Sequence, residues 1–332
     1  TILLITSHFA KEIKLLDSPD NFRKEHLGKV PLVGGIGLFF SLIYGAFVFG
    51  VNSFYLYVLG SLLPIMIVGV IDGIQEITVK PVFRIIAQII SSWIIIIATD
   101  IYIKDLGDLF GFGSLYIGQL GIPFTIFSVV GICNAFNMLD GKDGLLGSVS
   151  IVIMSSLLLL LYFNNIIYHW AQIFVLSTLV YLAFNLNLFG QKRKIFLGDH
   201  GSTGMGHIIA WSLIFLSQET DYITPVSALW FVLLPLTDAI LTFIRRIKSS
   251  HSVFSGDRLH FHHKLSDLGF SDKVILVAFS IITLISCAFA VASNIFNLKE
   301  FSLFYGYITL LIMLILLGFI KPKETEKSLK HR

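Results

Sequence analysis

Long apolar runs separated by short polar joints make up nearly the whole chain. They fall at residues 32–50, 54–72, 82–99, 120–138, 145–163, 168–188, 203–219, 225–244, 274–293 and 301–320. Each is close to the roughly twenty residues that cross a hydrocarbon core as a helix. The pattern predicts an all-α polytopic membrane protein with about ten transmembrane helices. The opening TILLIT is too short to span before Lys11 and Lys14 arrive, which suggests a further helix ahead of Thr1. A cleaved signal peptide would instead leave the start outside, against the basic residues between 11 and 29. Residues 100–119, DIYIKDLGDLFGFGSLYIGQ, are glycine-rich and alternating, and predict a small external β-hairpin. Neither a soluble domain nor an internal repeat interrupts the pattern, so 1–332 reads as a single integral membrane domain.

Composition agrees: 55% of the 332 residues are hydrophobic and 14% charged, which excludes an ordinary cytosolic protein. A net charge of +3 is too small to argue for nucleic acid, so the placement of the charges matters more than their sum. With residues 1–31 on one side, ten crossings put all but Lys104 and Lys299 of the 24 basic residues on that side. The positive-inside rule makes it cytoplasmic. The far side carries Asp100, Asp105, Asp108, Glu219, Asp221 and Glu300. Cys133 and Cys287 both lie in apolar runs and read as small hydrophobes, with no disulfide framework or CxxC site.

The candidate chemistry therefore faces the cytoplasm, in five clusters. The entry segment LLDSPDNFRKEHLGKVPLVGGIG runs from Asp17, Arg23, Lys24, His26 and Lys29 into Gly34, Gly35 and Gly37. Cations beside glycines suit a phosphate-bearing ligand, and a basic anchor with small packing residues accounts for the same string. In VIDGIQEITVKPVFR, Asp72 and Glu76 would share a helix face at the membrane exit, where ionisable groups are costly. A plain helix end pairing Glu76 with Lys80 is the alternative. NAFNMLDGKDGLLG sets Asn134, Asn137, Asp140 and Asp143 at three-residue intervals, so that a helix end would project amides and carboxylates to one side. It is not an EF-hand, whose twelfth-position Glu is missing.

KRKIFLGDHGSTG presents Asp199 before a Gly- and Ser-rich helix entry. A hard cation bridging to phosphate fits there, since Mg²⁺ keeps few protein ligands. A capped helix start explains Ser202 or Thr203 but leaves Asp199 and the KRK unexplained. Lastly, FSGDRLHFHHKL gathers Asp257, Arg258, His260, His262 and His263 in a His-rich cytoplasmic loop, residues 245–273. Zinc is poorly supported without Cys or HExxH, and donors to a diphosphate fit better. Asp238 is a candidate cavity residue and His207 a hydrogen-bonded packing residue. Carboxylates, cations and the lack of a Ser-His or Cys-His nucleophile together suit phosphoryl chemistry.

The ordered strings DSPDNFRKEH, PLVGGIG, NAFNMLDGKDGLLG, FLGDHGST and DRLHFHH resemble the polyprenyl-phosphate N-acetylhexosamine-1-phosphate transferases of bacterial envelope synthesis, from about residue 11 to the last span. HFHH is closer to the HIHH or HLHH of the WecA and TagO branch than to the three consecutive histidines of the MraY branch. The resemblance implies that a UDP-N-acetylhexosamine, most simply UDP-GlcNAc, reacts with undecaprenyl phosphate at the cytoplasmic face of the bacterial inner membrane. The products would be undecaprenyl-diphospho-sugar, which starts an envelope glycan such as lipopolysaccharide, and UMP. Mg²⁺, with Mn²⁺ as a substitute, would bridge the donor diphosphate. Carried over by motif, Asp199 and Asp140 are metal ligands, and Asp72, Asp140, Asp199 and His260 are catalytic. Lys29, Asn137, Asp143, Phe196, Arg258, His262 and His263 bind substrate, with Phe196 stacking on uracil. Membrane lipid is the medium, nucleic acid is not a partner, and a homodimer is compatible with the resemblance.

Two positions depart from the family pattern. Asp-Asp is replaced by Asp72-Gly73, with Glu76 as the third acid, and His200 stands where a small residue is usual. The lipid phosphate, with a second pKa near 6, is already largely dianionic at pH 7 and does not require a base. Gly73 also leaves open a catalytically impaired homologue that binds nucleotide sugar or lipid carrier. His200 could supply a donor near the phosphates. A transporter fits poorly, because the acids lie at one surface and no repeat is visible.

Overall fold

The computed structural model describes residues 2–19, 28–248 and 260–319. In chain order its elements are α1 (Ile2–Glu12), β1 (Leu16–Asp17), β2 (Val30–Pro31), α2 (Gly34–Phe49), α3 (Ser53–Gly73), α4 (Pro81–Thr99), α5 (Gly121–Leu139), α6 (Leu145–Phe163) and α7 (His169–Asn185). They continue with α8 (Asp199–Gln218), α9 (Pro225–Phe231), α10 (Leu233–Lys248), α11 (Phe261–Asp267), α12 (Asp272–Ile295) and α13 (Glu300–Phe319). Nine of the ten predicted apolar runs each overlap one helix. Among the described residues α3, α4, α5, α6 and α12 are long and apolar enough to cross a bilayer unaided, while α2 and α13 are apolar but shorter. The run at 225–244 is broken: α9 and α10 meet at an angle of 80°.

The helices are apolar on the outside. On α4, Ile89, Ile90, Trp93, Ile94 and Ile97 are exposed, while Gln88, Ser91 and Ser92 are buried against the bundle. That is the reverse of a water-soluble helix, and it is what a hydrocarbon solvent selects. Several polar side chains turned inward meet one another: His207 Nε2 lies 2.8 Å from Ser61 Oγ, and Asn134 donates to Gln88 at 2.8 Å.

At the centre lies α8, packed against α2, α3 and α5 and buried continuously from His200 through Ile214. Small residues set this closeness. A Cβ built on Gly35 would sit 2.4 Å from the Gly201 Cα, and one on Gly69 would sit 2.7 Å from the His200 backbone. The entry segment is stitched to α8 by its backbone: β1 pairs antiparallel with β2, Phe196 N–H donates to Pro31 O (2.9 Å), and Gly34 N–H donates to Phe196 O (2.9 Å). At the other end of the bundle, residues 104–117 form an irregular hairpin, with Leu106 N–H donating to Leu115 O and Ile117 N–H to Lys104 O.

Three expectations are corrected. The acids of the second cluster do not share a helix face, because α3 ends at Gly73 and Glu76 lies beyond it, paired with Lys14 rather than Lys80. The run expected at 203–219 starts earlier, so Asp199 belongs to the first turn of α8 and not to a loop. The His-rich segment expected to be a loop from residue 245 remains helical to Lys248 and is helical again in α11. Overpacking a glycine contact typically costs about 1–3 kcal/mol. Gly35→Ala should therefore lower the thermal unfolding midpoint in detergent, whereas Gly60→Ala, inside α3 but facing open space, should not lower it.

Candidate active site

The ends of α3 and α5 and the starts of α4, α8 and α11 meet at one end of the bundle. Asp199 opens α8 directly after Gly198, whose φ of +77° turns the extended 195–197 stretch into the helix at a sharp corner. Facing it is Asp72 at the end of α3, whose Oδ1 accepts from Val79 N–H at 3.1 Å. Between them stands Arg84, in the first turn of α4 that Pro81 begins. Its guanidinium pairs with Asp199 and lies 3.3 Å from Asp72 Oδ2. One cation thus ties two carboxylates from two helices.

The second part comes from the turn after α5. Asp140 caps that helix, and Asp143 pairs with the buried Lys194, whose ammonium also lies 5.1 Å from the Phe196 ring centre. Asn137 accepts from Ser202 Oγ at 2.7 Å, joining α5 to the first turn of α8. Asn185 fixes the turn from below: its Oδ1 accepts from Gly144 N–H (2.6 Å) and its Nδ2 donates to Ile195 O (3.1 Å). Burial, and then the negative charges of Asp199, Asp143 and Asp17, push the Asp140 carboxyl well above the usual carboxylate range. Four carboxylates from the entry segment, the turn and α8 therefore repel one another across a small space. A cation placed among them relieves that repulsion. Among the described residues no three His, Cys, Asp or Glu side chains form a ready metal cage. A largely hydrated Mg²⁺ needs only one or two carboxylates, which Asp199 and Asp140 could supply.

The histidines form the third part, mounted on α10. Asp238, buried, accepts from His260 Nδ1 (3.1 Å) and from Phe261 N–H (2.9 Å). Thr242 Oγ1 lies 3.2 Å from the same His260 nitrogen, and the Arg245 guanidinium covers the Phe261 ring at 5.3 Å. Positions 238, 242 and 245 are one stripe of a helix. His260 and His262 stack with their planes 4° apart, and His263 follows at 4.2 Å from His262. A Cβ built on Gly141 would meet His262 Nε2 at 2.4 Å, so the histidines rest directly on the turn that carries Asp140 and Asp143.

The structure brings together Asp72, Asn137, Asp140, Asp143, Phe196, Asp199, His260 and His262 with His263 beside it. Lys29 stands at the rim, 3.5 Å from Gln75, and Arg258 lies outside the described residues, as do Arg23, Lys24, His26 and Asp257. Asn134 turns to α4 and not to the site. Asp238 lies beneath His260 as its acceptor and does not line open space. His200 is also reassigned: it is fully buried, with Gly35 and Gly198 against its ring, and offers no donor at the surface. Gly73 is equally informative. A Cβ there would meet Leu15 Cδ1 at 2.7 Å and Leu32 Cδ1 at 3.2 Å, so a side chain at 73 would enter apolar packing. Sequence reasoning missed Arg84 and Lys194. Both lay inside strings already singled out, and the signals were a cation in the first turn of a helix, for Arg84, and the unexplained KRK run, for Lys194.

The model for glycosyl transferase family 4 matches residues 55–217, from the first turn of α3 through α8. The chain is 34% identical over 325 residues to the undecaprenyl-phosphate alpha-N-acetylglucosaminyl 1-phosphate transferase of Escherichia coli (strain K12), covering 96% of this chain and 85% of that one. Proteins of the same name from Yersinia pestis and Haemophilus influenzae (strain ATCC 51907 / DSM 11121 / KW20 / Rd) are 35% and 32% identical. They cover 87% and 94% of this chain and 78% and 89% of their own lengths. With these matches spanning the bundle and every part of the site just described, the chain belongs to glycosyl transferase family 4.

Proposed function

We propose that the protein transfers N-acetylglucosamine 1-phosphate from its UDP conjugate to undecaprenyl phosphate, giving the lipid-linked diphospho-sugar and UMP, from the cytoplasmic side of a bacterial inner membrane. The relatives carry that activity in their names over nearly the whole chain. The observation that carries the reading here is the seating of His262 on Gly141, which joins the donors for a diphosphate to the carboxylates in one site.

An oxygen of the lipid phosphate attacks the β-phosphorus of the donor, and the bond from that phosphorus to the bridging oxygen breaks, with UMP keeping the bridging oxygen. Such a transfer needs little covalent chemistry from a protein, and positioning and charge neutralisation do most of the work. His260, His262 and His263 hold the sugar diphosphate, and Asp238 keeps His260 from turning away. Arg84, already shared between Asp72 and Asp199, places positive charge where the acceptor phosphate must approach two carboxylates. Asn137 and Asp143 line the nucleotide side, next to Phe196. Asp199 and Asp140 would hold Mg²⁺, which supplies neutralisation of the diphosphate charge and a template for the leaving group. The impaired-homologue reading rested on Gly73. The apolar surroundings of that position support the active enzyme instead, because Asp72, Arg84 and Asp199 make their contacts without a side chain there.

UMP release by the purified protein in detergent should require UDP-GlcNAc, undecaprenyl phosphate and Mg²⁺ together; release without the lipid phosphate would mean hydrolysis and not transfer. Asp199→Asn should cut turnover by about a hundredfold or more while leaving the chain folded, as expected for loss of a charge acting at the reacting phosphates. Gly73→Asp should lower both activity and thermal midpoint, since it places a carboxylate against Leu15. A gain of activity in that variant would restore the impaired-homologue reading.

A further inference from the structure

The hairpin between α4 and α5, at the end of the bundle opposite the carboxylates, is built more firmly than a connector requires. At its base the Gln218 side chain accepts from Lys104 N–H (2.8 Å) and Asp105 N–H (3.1 Å) and donates to Asp105 O (3.0 Å). At its tip Asp108 Oδ1 accepts from Gly111 N–H (2.6 Å) and Gly113 N–H (3.2 Å). Both glycines have left-handed φ values, +85° and +105°. A carboxylate and two glycines thus fix the backbone on either side of Phe112, which stands 96% exposed. Holding out an apolar ring this way costs free energy in water, so its surroundings are not expected to be water.

The depth of the tip follows from what it touches. Phe110 lies edge-on to Phe304 with ring centres 6.1 Å apart, and a Cβ built on Gly111 would lie 3.3 Å from the Phe301 ring. Phe301 and Phe304 occupy the first two turns of α13, an apolar helix. The tip therefore runs along the flank of α13 and does not stand beyond its end. Glu300 accepts from Asp108 N–H and Val226 N–H, both at 3.3 Å, and holds the tip at that level. The exposed apolar side chains continue through Tyr116 (73%) and Leu120, just ahead of α5, to Phe127 on the outer side of that helix.

We propose that Phe112, with Phe110 and Tyr116, is an anchor inserted at the boundary between headgroups and acyl chains of the leaflet opposite the active site. Aromatic side chains favour this layer. The patch is continuous with the outer apolar surface of α5 and α13, and a single projecting ring needs no shape-matched surface, which favours lipid over a protein partner. The Asp108 charge, which would oppose insertion, is held by two backbone amides of the tip itself.

The test uses the full chain in lipid nanodiscs with Phe112→Cys carrying an environment-sensitive NBD fluorophore. Cys133 and Cys287 are both buried, and Gln191→Cys, exposed at the opposite end, serves as the aqueous reference. Emission from position 112 should be blue-shifted relative to position 191 and quenched about twofold more by lipids brominated near the top of the acyl chain than by aqueous iodide, as for a ring at the interface. An unchanged thermal midpoint shows that the labelled chain is folded. Water-like emission quenched mainly by iodide overturns the proposal. So does a blue shift that disappears when each disc holds one chain, because then a second copy covers the patch.

Discussion

The carboxylate end of the molecule depends on how close α2 and α3 come to the first turn of α8. Because Gly35, Gly69 and Gly201 carry no side chains, His200 is enclosed completely among backbones. Neighbouring residues on a helix point about 100° apart, so enclosing His200 leaves Asp199 at the surface, facing Asp72 and Arg84. A side chain at any of these glycines would push the helices apart and carry Asp199 away from its partners. The same glycines let the entry segment pair by its backbone with 195–197, which places Asp17 near enough to raise the Asp140 carboxyl.

Around that contact the site is a balance of charges under strain. Arg84 and Lys194 each offset one or two acids, yet Asp140 remains poised against ionisation by burial and its acidic neighbours. A site left short of positive charge is matched to a ligand that brings a cation with it, and the histidines across Gly141 are matched to a ligand that brings phosphates. The proposed donor, a nucleotide diphosphate carrying its metal, would satisfy both. The distribution agrees with phosphoryl transfer, in which fixed charges lower the barrier without a protein nucleophile.

Much of this was legible in the chain. Helix positions follow from apolar runs alone, because hydrocarbon leaves the backbone few other ways to satisfy its polar groups. Asp72, Asp140, Asp143 and Asp199 stood out because ionised groups at helix ends need a reason to be there. The partners were hidden for a physical reason: Arg84 reaches Asp199 and Lys194 reaches Asp143 across long stretches of sequence, and nothing local marks which carboxylate a cation will choose. His200 was misread in the same way: residue type suggested chemistry, while the packing of α2 and α3 encloses it in the interior. For Gly73 the sequence left two readings open, because nothing local marks its packing against Leu15 and Leu32.

The 80° break between α9 and α10 changes what this stretch does in the bilayer. α9 begins beside Glu300, at the hairpin end, and α10 carries the residue that holds His260, at the carboxylate end. The chain therefore passes from one end to the other, but seven residues of α9 rise only about 10 Å. The longer α10, packed along α5, therefore covers the remaining distance and carries Asp238, Thr242 and Arg245 to the carboxylate end. The bend thus divides the stretch, with the α9 end tied to Glu300 and the α10 end setting the position of His260, so that one broken run serves both ends of the bundle.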